Sequence, residues 1–300
     1  MLIIEKLNTK EDMTEAEIII ADFIIMIGKK ISKSSTRSIA EATYTSAATV
    51  VRLCKKLGFS GFNDFRNHFL VELDYIDNQF GSISANFPFE KKDSYYKAAN
   101  KIGSLYKETV DDTLSLLNDE ILQKAVNLIK YSYAIHLFSY GTNLNIAETF
   151  REKMLKIGKP VYLSTNLNYQ RYEARVIGKE DVAIIISYSG ETANIIEIAQ
   201  TCKQNNIPII LITSLGENTV SKYSACKLVI STKEHLFQNL GNFSTNISIS
   251  LLLDVLYSTF FLTAYDLHYK NKLGIVGQLE NKRKSSNSTI NDWENDETVF

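Results

Sequence analysis

The chain has 300 residues, 45% of them hydrophobic and 22% charged, with a net charge of −1. That length and apolar content allow two globular domains. Its three cysteines, Cys54, Cys202 and Cys226, are odd in number and have no C-x-x-C spacing, so they read as buried, reduced thiols of a cytoplasmic protein. His68, His136 and His268 are scattered without metal-ligand spacing, so no metal or cofactor is expected. The opening Met1-Leu2-Ile3-Ile4-Glu5 carries no basic n-region, and no signal peptide is expected.

In chain order, Thr14-Glu15-Ala16-Glu17 forms a capping box that predicts an apolar helix through Ile27, the floor of a first module. Between Thr36 and Leu57, Ile39, Ala40, Val50 and Leu53 have the spacing to pack two short helices across a tight turn. Ser46 can cap the second of these helices, and Gly58 can end it as a left-handed residue. Its exposed positions are expected to be Ala47, Ala48, Thr49, Arg52, Lys55 and Lys56. Short side chains followed by cations suit a recognition helix in a major groove. Charge supports this reading. Over residues 28–66, eight Lys and Arg face two acids, Glu41 and Asp64, a net +6 within a near-neutral chain. Thr36 and Arg37 at the start of the first helix, with Ser46, Ala47, Thr49, Arg52, Lys55 and Lys56, are the candidate DNA-contacting residues. Tyr44 falls in the turn, where a positive φ would cost on the order of 1 kcal/mol.

Residues 78–94, with Asn, Gly, Ser and Pro88, read as a linker. One or two helices over 95–130 follow. Apolar runs then occur at Ala134–Phe138, Val161–Leu163, Val182–Ile186, Ile207–Ile212 and Leu228–Ile230, with helical stretches at 146–157 and 191–205 and a short one near 217–224. Alternating strands and helices predict a doubly wound α/β domain around a five-stranded parallel sheet, with ligands at the carboxyl ends of the strands. At one such end, Ser187, Ser189, Gly190, Glu191 and Thr192 lie between an apolar strand and a helix start. Free backbone N–H groups and the helix dipole attract an anion there, hydroxyls can donate to it, and glycine lets backbone approach. Glu191 is expected to face sugar hydroxyls or solvent rather than the phosphate. Ser139-Tyr140-Gly141-Thr142-Asn143 and Ser164-Thr165-Asn166 supply similar chemistry at two other strand ends.

The stretch Ile247–Tyr265 is long and apolar, but Asn246, Ser250, Asp254 and Ser258 recur every fourth residue as a polar stripe. A charge at mid-membrane costs ~2.5–3.5 kcal/mol, so a buried helix is expected rather than a membrane span. The apolar surface of that helix also makes it a candidate subunit interface. Beyond about residue 278 the chain is polar and read as a disordered tail, with Trp293 and Phe300 able to dock. The domain boundaries expected are 1–77, a linker 78–94, 95–270, and a tail 271–300.

Two resemblances bear on these readings. Ser-x-Ser-Gly-Glu-Thr (187–192) after an apolar strand resembles the signature of the SIS phosphosugar-binding domain, over roughly residues 120–265. In that family these hydroxyls hold the phosphate of a sugar phosphate. The family's first loop usually has the form Gly-x-Gly-x-Ser; here Ser139 replaces the first glycine and Asn143 stands where serine is expected. Glu-Ala-Thr-Tyr-Thr-Ser-Ala-Ala-Thr-Val-Val-Arg (41–52) and Cys-Lys-Lys-Leu-Gly-Phe-Ser-Gly-Phe-Asn-Asp-Phe (54–65) resemble the RpiR family of bacterial transcriptional regulators, which pair an amino-terminal helix-turn-helix with a SIS domain. Ala47 stands where that family often has proline. The match extends over roughly residues 1–265.

The resemblance implies an all-α helix-turn-helix domain followed by an α/β SIS domain. It also implies a DNA-binding regulator of carbohydrate metabolism genes that senses a phosphorylated sugar at Gly141, Thr142, Asn143, Ser187, Ser189, Gly190, Glu191 and Thr192. The competing reading is an aldose–ketose phosphosugar isomerase with an accessory helical domain, and Glu234-His235 or Glu191 would then supply its base. Glu234-His235 reads more simply as a solvated loop pair, and a free-standing isomerase has no use for a basic helix-turn-helix. The partners expected are double-stranded operator DNA, a sugar phosphate and further copies of the chain, as a dimer or tetramer reading two half-sites.

Overall fold

The computed structural model describes residues 2–78, 83–280, 285–287, 289 and 291. The first helices are α1 (Ile3–Thr9), α2 (Glu15–Ile27), α3 (Thr36–Ala42), α4 (Ala47–Lys56) and α5 (Phe62–Asn78), with a 3-10 turn at Gly28–Lys33. The caps read from the sequence start α2 and α4. Thr14 and Glu17 close a reciprocal box, Oγ1 accepting from the Glu17 N–H at 3.4 Å and Oε2 from the Thr14 N–H at 3.0 Å. Ser46 Oγ accepts from the Thr49 N–H at 3.1 Å. Gly58 ends α4 at φ 101°, and the Phe59 N–H returns to the Cys54 carbonyl at 3.0 Å. One core joins these helices through Leu7, Ile24, Ile39, Leu53, Phe65 and Phe69. Cys54 belongs to that core, and burial pushes its thiol up to about 12.

The second half runs α6 (Tyr95–Ser115), α7 (Asp119–Tyr131), β1 (Ile135–Ser139), α8 (Asn143–Lys156), β2 (Val161–Tyr162), α9 (Leu167–Val176), β3 (Val182–Ile186), α10 (Ala193–Gln204), β4 (Ile209–Thr213), β5 (Cys226–Val229), α11 (Phe243–Leu262) and α12 (Tyr265–Leu279). The sheet is parallel in the order β2-β1-β3-β4-β5. Every residue of β3 and β4 is buried, because helices cover both faces. One core, beneath α7, α8 and α11, takes Ile184, Ile186, Ile210 and Ile212; the other, beneath α9 and α10, takes Ala183, Ile185, Ile209 and Leu211.

The structure corrects three expectations. α9 had no counterpart among the predicted helices, since its polar face outweighs the apolar one, of which Ala174 is buried. The short helix near 217–224 is a 3-10 turn at Val220–Tyr223. Residues 271–279 are helical rather than part of a polar tail, because α12 is held from outside its own sequence. Asn271 Nδ2 donates to the Ile157 carbonyl at 3.2 Å, and the His268 ring lies 4.8 Å from that of Phe260. Trp293 and Phe300 lie outside the described residues.

α11 is long and apolar enough to cross a membrane. Here it packs against α6, α7 and α8. Ser244 and Ser248 face inward, with Thr109 Oγ1 2.8 Å from Ser244 Oγ and Thr113 Oγ1 donating to Ser248 Oγ at 2.9 Å. Asp254, on the stripe expected to be polar, pairs with Lys153 of α8 at 2.5 Å.

α4 is oriented by a carboxylate whose capping role, but not its partners on α4, is read from sequence spacing. Glu17, 1% exposed on α2, accepts from Arg52 Nε at 3.1 Å and Lys56 Nζ at 2.9 Å. Lys56 also donates to the Asp12 carbonyl. The Thr14 N–H is the largest influence holding the Glu17 carboxyl down, and with the Lys56 and Arg52 contacts it reaches about 2 against the opposition of burial. Because the folded value lies below the unfolded one, this contribution is fully present above about pH 4.3 and is lost as the pH falls toward 2. Glu17→Gln should cost roughly 1.5–3 kcal/mol, the scale of one charged hydrogen bond. Urea unfolding of the variant and the parent should show that gap at pH 7 and a smaller one at pH 3; an equal gap at both would contradict the assignment.

Candidate functional site

β1 and β3 are adjacent, with Ser139 level with Ile186, so the loops that leave their carboxyl ends emerge side by side. The connection from β1 leads through α8 to β2 on one side, while that from β3 leads through α10 to β4 on the other. The crevice between β1 and β3 is therefore the switch point of the sheet, where two helix N-termini converge.

The β3 loop is shaped for an anion. Ser187 Oγ accepts from the Gly190 N–H and Ser189 Oγ from the Glu191 N–H, both at 3.2 Å, which leaves each hydroxyl proton able to donate. Ser187 is 5% exposed and lies at the floor of the loop, whereas Ser189 and Thr192 are half-buried. Thr192 is the N-cap of α10 and makes no side-chain cap hydrogen bond, so its hydroxyl is not spent on the helix. Gly190 has φ 65°, and a Cβ there would lie 2.1 Å from Asn218 Cγ, so both the backbone and the neighbouring side chain require glycine. Asn218 is fixed in turn by donating to Thr213 Oγ1 at 3.0 Å and accepting from the Ser221 N–H at 2.9 Å.

Glu191 is exposed, in line with the solvent-facing alternative, and it also has a partner within the chain. Its carboxylate accepts from the Thr219 N–H at 2.8 Å and from Thr219 Oγ1 at 2.6 Å, which holds its pKa below the usual carboxylate range, with the Thr219 hydroxyl the leading cause. It therefore latches the loop to the segment after β4. Across the crevice, Gly141 has φ 65°, Thr142 is exposed at the N-cap of α8, and Asn143 is the first residue of that helix. The hydroxyl of Ser139 is committed to the Ile186 carbonyl at 3.2 Å. Gln170, on the unpredicted α9, completes the floor. Fully buried, its amide accepts from the Ser139 N–H at 3.3 Å and donates to the carbonyls of Ser139 and Ser164 at 3.1 and 2.8 Å. A lone Gln in a polar stretch gave no signal of this.

Glu234 is not a solvated loop residue. It is 6% exposed, and its two oxygens accept from the N–H groups of Ser244 and Thr245 at 3.0 and 2.8 Å, capping α11, while His235 is exposed. His68, His136 and His268 are not brought together, and among the described residues no His, Cys, Asp and Glu cluster could hold a metal.

On the amino-terminal module, Ala48, Arg52 and Lys55 are exposed along α4, with Ala47 and Thr49 half-buried beside them. Arg37 is exposed and Thr36 half-buried at the start of α3. Glu17 holds Arg52 through Nε and leaves its side chain 63% exposed. Lys56, expected as an exposed position and DNA contact, is exposed, and its Nζ turns back onto Glu17 and Asp12. Lys55 makes no ion pair within the described residues. Tyr44 has φ 53° and is 98% exposed in the turn between α3 and α4.

Comparison with known proteins fits both halves. Residues 1–74 match the helix-turn-helix domain of the rpiR family, and residues 128–259 match the SIS domain. An uncharacterized HTH-type transcriptional regulator of Haemophilus influenzae is 31% identical over 251 residues, covering 83% of this chain and 85% of its own. The HTH-type transcriptional regulator HexR of Escherichia coli is 27% identical over 217 residues, 72% of this chain and 73% of its own. The fold is similar to that of the Vibrio vulnificus NanR protein complexed with ManNAc-6P, with a TM-score of 0.59 at 20% identity over 94% of this chain and 99% of that one. With a helix-turn-helix at its amino end and a SIS domain behind it, the chain belongs to the rpiR family of transcriptional regulators.

Proposed function

We propose that this protein is a DNA-binding regulator of carbohydrate metabolism genes, and that a phosphorylated sugar bound at the β1–β3 crevice sets its affinity for an operator. Ser187, Ser189, Gly190 and Thr192 receive the phosphate, with Gly141, Thr142 and Asn143 contributing from the α8 side. The observation that carries this reading is the commitment of Glu191 to Thr219. The acid of the loop is engaged elsewhere, so donors and the positive end of α10 meet the ligand. The similar NanR structure holds ManNAc-6P, which supports a phosphorylated sugar as the ligand class.

The protein is read as a sensor without turnover. An isomerase needs a base free to move a proton between neighbouring carbons. Of the three candidate bases, Glu234 is occupied by two N–H groups of α11, Glu191 by Thr219, and His235 lies exposed on the loop after β5. It acts in the cytoplasm, where operator DNA is. Two copies or more assemble, since one short recognition helix reads few base pairs and two-fold symmetry reads two half-sites. A monomer at micromolar concentration in X-ray scattering, with and without DNA, would contradict this.

On the DNA side, Arg52 contacts a base edge or phosphate with the outer part of a guanidinium that Glu17 aims, and Lys55 contacts phosphate. Arg52→Ala should cost ~1–3 kcal/mol of operator affinity if the guanidinium grips guanine. Lys55→Ala should weaken all sequences alike and lower the salt slope by about one. Parent-like operator binding by both variants would mean that α4 is not the reading helix.

On the effector side, Ser189→Ala combined with Thr192→Ala removes two donors and leaves α4 untouched. The double variant should fold and bind operator but lose its response to a panel of ketose and aldose phosphates, which the parent should bind and leave chemically unchanged. A retained response would move the effector site elsewhere, and turnover by the parent at an enzymatic rate would make it an isomerase.

A further inference from the structure

The chain leaves α5 at Asn78 and meets the SIS domain at Asn86. Asn86 Nδ2 donates to the Lys233 carbonyl at 3.2 Å, and its Oδ1 accepts from the His235 N–H at 2.7 Å. Its own carbonyl accepts from the Leu240 N–H at 2.9 Å. One asparagine thus straddles Glu234 and closes the loop that follows β5. Phe89 adds an edge contact to Phe243, at the start of α11, with centroids 6.3 Å apart.

The same stretch is gripped from the effector side. Tyr188 lies inside the phosphate loop, between Ser187 and Ser189, and its hydroxyl donates to the Glu234 carbonyl at 2.7 Å. Glu234 cannot yield alone, because its carboxylate is bonded to the first turn of α11. Leu236 and Phe237, 57% and 93% exposed, show that the 235–240 loop is held by hydrogen bonds rather than by burial. The donors and acceptors at Lys233, Glu234 and His235 therefore form one short segment, with the phosphate loop on one side and the interdomain connection on the other.

We propose that Tyr188, the Lys233–His235 segment and Asn86 form the relay that couples effector occupancy to the helix-turn-helix module, with Asn86 as the positioning residue at its DNA-side end. Coupling of this kind requires an element whose arrangement both sites bias. A phosphate drawn onto the Ser189 and Thr192 hydroxyls moves the backbone that carries Tyr188. The hydroxyl of Tyr188 moves the Glu234 peptide, and Asn86 follows through its bonds to the residues on either side. This rests on the effector site proposed above, but Asn86 is outside the residues assigned to the ligand and to DNA.

The test uses the full chain, an operator selected from a random duplex library, and ManNAc-6P, glucose 6-phosphate and fructose 6-phosphate as probes. Asn86→Ala should bind operator and the active probe within about twofold of the parent, while the probe-induced change in operator affinity shrinks to within about twofold of none. A full response in Asn86→Ala would overturn the relay. A parent that binds no operator, or responds to no probe, would count against the function proposed above instead. A second measurement decides the relay without a ligand. In Tyr188→Phe, hydrogen–deuterium exchange should rise at the 235–240 amides and in 83–93, and unchanged exchange in both segments would overturn it.

Discussion

The parallel pairing of β1 with β3 is the constraint on which the rest of the SIS domain depends. Five consecutive residue pairs, from Ile135 with Val182 to Ser139 with Ile186, join strands whose outgoing helices lie on opposite faces of the sheet. Because the strand order reverses there, the two helix starts flank one crevice instead of being spread along the sheet edge. The cores above and below the sheet keep those starts in place. Removing apolar surface from water is worth roughly 1.5–3 kcal/mol for each fully buried aliphatic side chain, and β3 and β4 bury isoleucines on both faces.

A second theme is the use of buried carboxylates to hold helix starts. Glu72 of α5 accepts from the N–H groups of Ile3 and Ile4 at 2.7 Å each, Glu234 holds the first turn of α11, and Glu17 closes its own helix while gripping α4. A helix N-terminus is the place where a carboxylate is favoured by unpaired donors and by the dipole. The environments still differ. Burial, the leading cause, drives the Glu72 carboxyl above its ordinary range, whereas the Thr14 N–H, aided by Lys56 and Arg52, draws that of Glu17 down. α4 is thus oriented by charge as well as by packing, which explains why two of its three basic residues, Arg52 and Lys56, are not simply solvated.

Much of this was legible in the residues. Apolar runs bounded by turn residues marked the five strands, most plainly β3 and β4, which helices cover on both faces and which are buried throughout. Thr14 and Ser46 marked helix starts, and Gly58 a helix end, because those roles depend on a few neighbouring backbone atoms. The Ser187–Thr192 turn was legible as a turn for the same reason, as its hydroxyls and its glycine act on the backbone in which they sit.

The pairings across the chain were not legible. Glu17 meets Arg52 and Lys56, Glu191 meets Thr219, Glu234 meets Ser244 and Thr245, and Gln170 joins two strand ends. Gln170 reads as an ordinary polar residue along the sequence, and for Glu17, Glu191 and Glu234 the sequence offered other roles but not these partners. The direction of a polar side chain, and whether water can reach it, are set by segments packed against it from elsewhere in the chain. The sequence alone therefore determined the domain types, the strands and the hydroxyl-rich turn after β3, all of which rest on local periodicity and capping. The tertiary structure decided which charges are free to meet a ligand or DNA, because burial and partner choice exist only once distant helices have packed.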